Sequence, residues 1–109
     1  MKKPIQTLNR IAPTEVQLNH LKAQYGKLFE VSLVDDDIEY VFLFKRPDRI
    51  TLAAATEKDM NPIDAAYTIA INTLVFGDEK LLEDGVIFTA VSRVINEMIT
   101  GGIATLKKI

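Results

Sequence analysis

The chain contains no cysteine, which removes disulfides, a thiolate nucleophile and every cysteine-based zinc or iron–sulfur site. Its stability therefore has to come from packing. Histidine occurs once, at His20. Imidazole is the side chain best poised for proton transfer near neutral pH, but a general base requires a nucleophile and an orienting partner. Ser32, Ser92 and the threonines sit in no nucleophile-elbow pattern, so His20 reads as a half-exposed residue on a helix face. Apolar stretches are broken by Asn72, Thr73 or charges well before the roughly 20 residues that a membrane-spanning helix needs. No sign of charge dominates: the formal net charge is -2, which provides no electrostatic reason to seek nucleic acid or an anionic membrane. Neither is expected as a partner. Glycine is sparse, and Gly101-Gly102 lacks the Lys-Ser or Lys-Thr that completes a phosphate-binding loop.

What remains is ordinary globular material. The 109 residues are 48% hydrophobic and 26% charged, enough for one core that buries roughly 65% of the unfolded chain's surface. No internal repeat or linker divides the chain, so a single α+β domain spans residues 1–109. Met1-Lys2-Lys3 is followed by Gln6, Asn9 and Arg10, not by the apolar core of a signal peptide. Residues 1–13 are expected to be a mobile arm, residues 103–109 a docking tail, and the protein cytoplasmic.

Thr14 with Gln17 three positions on forms a capping-box pattern, predicting a first helix to about Tyr25, closed by Gly26. Val16, His20 and Ala23 share one side with Leu21 nearby, a narrow stripe that places this helix on the rim. Phe29, Val31 and Leu33 alternate with Glu30 and Ser32, which predicts a strand with one buried face. Asp35-Asp36-Asp37 ends it. A second strand, residues 38–45, carries Tyr40, Phe42 and Phe44 on one side and Glu39, Val41 and Leu43 on the other, completing an antiparallel hairpin. Both sides are apolar at residues 41–44, so a helix, a third strand or a second subunit has to cover the other face.

Pro47 and Asp48 start a second helix, predicted over residues 48–58, with Pro47 suited to its first turn. Asn61 and Pro62 start a third by the same logic. Its Ile63, Ala66, Tyr67, Ala70, Ile71 and Leu74 recur at three and four, the strongest core signal in the chain. This helix is predicted to run to Phe76 and close at Gly77, with a charged surface turn at residues 78–80. A fourth helix, beginning near residues 83–85, carries Val86, Ile87, Ala90, Val91, Val94, Ile95 and Met98 until Gly101-Gly102 interrupts it.

The acidic cluster Asp35, Asp36, Asp37 and Glu39 fails the calcium-loop pattern, with Tyr40 where glycine is required and Arg46 where a carboxylate is required. It reads as a charged turn. Asp78, Glu79, Glu83 and Asp84 favour the start of the fourth helix through its dipole. The second and third helices are not a DNA-reading pair, because residues 63–76 contain neither Arg nor Lys. Lys45, Arg46 and Arg49 cluster where the second strand meets the second helix and either solvate the sheet's mouth or meet a partner. No catalytic, cofactor-binding or metal-ligating set is found.

The succession YVFLFKRPDRITLAAA…NPIDAAYTIAINTLVFGDE within residues 40–79 resembles the tail assembly chaperone-like small proteins of bacteriophages and prophages. There, an aromatic-rich strand leads into a Lys/Arg-Pro dipeptide, an Ala-rich helix, and a helix ending in a Gly-Asp/Glu turn. The resemblance covers about residues 16–99 and rests on structural motifs. It implies an N-terminal helix, an antiparallel hairpin and three helices packed on the sheet. It also implies a non-enzymatic, cofactor-free homo-oligomer in the host cytoplasm that shields a helix-rich tail component during virion assembly. The expected partner-binding residues are Val41, Leu43, Lys45, Arg46 and Arg49. An alternative is a small ligand-binding or regulatory module with a pocket between the hairpin and the third helix, lined by Tyr40, Phe42 and Tyr67.

Overall fold

The computed structural model describes residues 9–57, 61–100, 104 and 106–108. Its architecture is α+β: a mixed four-stranded sheet with the main helical layer on one face. β2 (Leu28–Asp35) and β3 (Ile38–Lys45) form the hairpin, in register from Leu28↔Lys45 to Asp35↔Ile38. The two-residue turn between them has positive φ at both positions, 52° at Asp36 and 61° at Asp37, the geometry that matches strand twist in a tight hairpin. Aspartate tolerates this left-handed region better than most residues, which explains the acidic cluster without a ligand.

β3 is the central strand, and its second edge is shared. β1 (Asn9–Ile11) pairs parallel with its first part, Asn9↔Ile38 to Ile11↔Tyr40, and β4 (Leu74–Phe76) pairs antiparallel with its last part at Leu43 and Phe44. Neither strand was expected. Residues 9–11 were expected to belong to the arm, but they align with β3 and Arg10 Nε donates to Glu39 Oε1 at 2.9 Å. Residues 1–8, the rest of that arm, lie outside the described residues. Residues 74–76 were expected to continue the third helix. Instead α3 (Pro62–Thr73) stops at Thr73, and the chain extends along β3. Apolar period-3.6 and strand patterns coincide in so short a segment, and an unpaired backbone edge on the central strand decides between them.

Phe29, Val31 and Leu33 of β2 lie opposite Phe44, Phe42 and Tyr40 of β3. They meet Ile69 and Ala70 of α3, Leu82 of a short 3-10 helix (Glu79–Glu83), and Ile87, Val91 and Ile95 of α4 (Gly85–Thr100). Phe42 and Phe44 have no exposed surface and stack at 6.4 Å; each buried ring contributes about 1.5–3 kcal/mol of transfer free energy. Ile63 and Val86, read as core, are 69% and 71% exposed. The inward stripe of α3 is displaced to Ala66, Ile69, Ala70 and Thr73, whereas that of α4 narrows to the expected Ile87, Val91 and Ile95.

α1 (Glu15–Tyr25) starts on the expected capping box and ends at Gly26, φ 76°. It lies over the other face of the sheet, where the Tyr25 ring sits 5.6 Å from Lys45 Nζ. None of its residues is fully buried; Leu18 and Leu21 turn inward while Val16, His20 and Ala23 stay exposed. The stripe was therefore misphased, although the rim position holds. α2 (Arg49–Ala55) is shorter than expected and starts one residue after its cap: Asp48 Oδ1 accepts from Thr51 N at 2.7 Å, so Pro47 precedes the helix. The expected continuation to Lys58 and the interruption at Gly101-Gly102 fall outside the described residues. Of the expected docking tail, residues 104 and 106–108 are described without regular structure, and Leu106 is 99% exposed.

Candidate partner-binding groove

Pro47 holds Arg46 in extended backbone, and the Asp48 cap then turns the chain sharply into α2. Two hydrogen bonds from Thr51, through its backbone and its side chain, hold the Asp48 carboxyl below the ordinary carboxylate range. This corner leaves a cleft of about 390 Å³ between the start of β2, the corner itself and the end of α4. It is lined by the apolar Phe29, Pro47, Leu52, Met98 and Ile99, by the cations Lys27 and Arg46, and by Glu97. A smaller cleft of about 250 Å³ continues along β2 past Glu30 and Val94, sharing Phe29, Glu97 and Met98 with the first. Together they form a groove between the outer strand and the last turns of α4.

The five expected partner-binding residues separate in the structure. Val41 and Leu43 are each 2% exposed, so the chain covers its own second sheet face. Lys45 is half-buried and turned toward Tyr25 on that same face. Only Arg46 lines the groove; Arg49 is exposed on the first turn of α2. Lys27, Leu52, Glu97, Met98 and Ile99 were not anticipated, because residues this far apart in sequence meet only through the docking of α4 on β2. Ile99, at the end of α4, is 39% exposed.

The remaining polar clusters have structural work. Asp78 caps the 3-10 helix by accepting from Lys80 N, and Asp84 Oδ1 accepts from Val86 N at 2.9 Å and Ile87 N at 3.1 Å. Glu83 accepts from the Tyr67 hydroxyl at 2.6 Å, a bond that raises the Tyr67 pKa above the ordinary phenol value, with desolvation and the charges of Glu83 and Glu79 adding to it. Tyr67 also packs edge-on against Phe88 at 5.7 Å. Among the described residues, no three His, Asp or Glu side chains converge to hold a metal ion, and every buried side-chain nitrogen or oxygen has a hydrogen-bond partner. No described helix is long and apolar enough to cross a membrane.

The alternative pocket is divided. Tyr40 and Phe42 border a cleft of about 330 Å³ with Ile11 and Gly77, in the gap where β1 and β4 share β3's edge. Tyr67 borders a different one, with Ile63, Leu82 and Phe88.

No protein-family model matches the sequence, and no curated protein matches it significantly. Among solved structures, the chain is similar to the uncharacterised protein rbstp2171 from Bacillus stearothermophilus. The two are 26% identical with a TM-score of 0.59, over 84% of this chain and 99% of that one.

Proposed function

We propose that this protein is a non-enzymatic, homo-oligomeric factor that assists phage-type tail assembly by holding a helical segment of an elongated tail component in the Arg46 groove. The observation that carries the reading is the groove's composition: five apolar residues lining it beside Lys27 and Arg46. Such a groove suits the apolar anchors of an amphipathic helix whose flanking carboxylates meet the two cations. The tail-chaperone resemblance within residues 40–79 supplies the class of partner. Burial of apolar side chains at a shallow site requires no reactive group.

The test is calorimetric titration of the full chain against a long helical phage-type tail protein. Arg46→Glu, in the groove, weakens binding about tenfold and flattens its salt dependence, whereas Arg49→Glu, outside the groove, leaves it within about twofold. A complex indifferent to Arg46→Glu, or no complex, refutes the reading.

A further inference from the structure

β2 is an outer strand: its inner edge pairs with β3 along eight residues, and no other described strand pairs with it. It lacks the devices that normally blunt such an edge. It contains no proline and no lysine, its pairing with β3 shows no bulge, and Glu30 is its only charge before Asp35. An open, regular edge of this length is a template for another strand.

We propose that β2 pairs antiparallel with β2 of a second copy of this chain, with Val31 opposite Val31, so that one sheet runs through a two-fold dimer. This deepens the oligomeric part of the reading above by naming the surface, and it does not depend on the groove's partner. The occupant follows from complementarity. Residues directly opposite in a sheet point to the same face, so a symmetric pair that keeps both helical layers on one side is centred on a residue and its own copy. Centred on Val31, the pattern sets Phe29 opposite Leu33, Leu28 opposite Val34, Glu30 opposite Ser32, and Lys27, one residue before the strand, opposite Asp35. Apolar residues meet apolar ones on both faces, and each end closes on opposite charges. Val34, 58% exposed in the single chain, gains an apolar neighbour.

Neighbouring registers lose this match. Centring on Glu30 opposes two carboxylates, centring on Ser32 sets Phe29 against Asp35, and centring on Leu33 sets Glu30 against Asp36. Like charges directly opposite are unfavourable, as apolar pairs are favourable.

Sedimentation or light scattering over the micromolar range reads the result: the wild-type chain moves from 12.2 kDa toward twice that mass. Ser32 is exposed, and its hydroxyl contact with Glu39 Oε2 is lost in either replacement. Ser32→Glu then opposes Glu30 of the other copy twice per dimer and weakens dimerisation about tenfold, while Ser32→Lys meets the same Glu30 and tightens it by a comparable factor. Hydrogen exchange at the outward amides of β2 slows with protein concentration in the wild type and in Ser32→Lys, which keeps the test intact should Ser32→Glu fold poorly. A strictly monomeric wild type overturns the pairing, as does a dimer that ignores both substitutions or shifts the same way with both. Failure of the tail-protein titration alone bears on the groove and leaves this result untouched.

Discussion

Replacing Gly77 by alanine tests how tightly the unexpected strand β4 is locked onto the core. Gly77 follows β4 at φ 123°, a conformation that L-residues rarely adopt, which costs about 1–3 kcal/mol for a residue with a Cβ. The added Cβ would also stand 2.5 Å from Cδ1 and 3.1 Å from Cε1 of Phe42. That ring has no exposed surface and is stacked on Phe44, so it cannot swing away, and overpacking of this kind costs a further ~1–3 kcal/mol. The sum, about 2–6 kcal/mol, is a large part of the roughly 5–15 kcal/mol that holds a domain folded. It lowers Tm by roughly 10–30 °C in a chain of this size. Urea unfolding with an unchanged slope measures the loss. Gly26→Ala is the comparison: φ there is 76°, but nothing lies within 4 Å of the added atom, so only the backbone cost of about 1–2 kcal/mol applies. On a Phe42→Leu background the steric share of Gly77→Ala shrinks, a coupling of about 1–2 kcal/mol in a double-mutant cycle. Equal, small losses for the two glycines, or no coupling to Phe42, would refute the close approach as the cause.

Two titrations test the caps and ties around the groove and the α3 face. The Asp48 carboxyl is held below its ordinary range by Thr51, so its stabilising effect is fully present above the unfolded-state pKa and disappears as pH falls through the lowered folded value. Asp48→Asn, which keeps the accepting oxygen, flattens the acid limb of an unfolding titration followed by circular dichroism; an unchanged acid limb contradicts the assignment. Tyr67 is raised by its bond to Glu83, so its contribution is present below the unfolded phenol pKa and is lost as pH rises through the higher folded value. Phenolate absorbance shows this late ionisation, and Glu83→Gln moves it toward lower pH.

Local chemistry was legible in the sequence wherever partners lie within a few residues of one another. Thr14 and Gln17, and Asn61 before Pro62, start helices as read, because a cap bonds an amide two or three positions away; Asp48 starts one too, but as its cap and not from inside its first turn. The hairpin followed from alternation and its acidic turn for the same reason. The α+β class followed from these elements together. Burial on both sides of β3 was readable too, as apolar residues at 41–44, but not which element provides it.

The tertiary structure alone decided that residues 74–76 leave the helix, that residues 9–11 join the sheet, and that Val41 and Leu43 are sealed inside instead of offered to a partner. It alone brought Lys27, Arg46 and Met98 to one groove. A strand three residues long carries too little period to identify itself; what selects it is the unsatisfied edge of β3, supplied by residues about thirty positions away along the chain. Side-chain pattern thus determined which elements form, while the backbone hydrogen bonds left open by the hairpin determined how the segments around them are used.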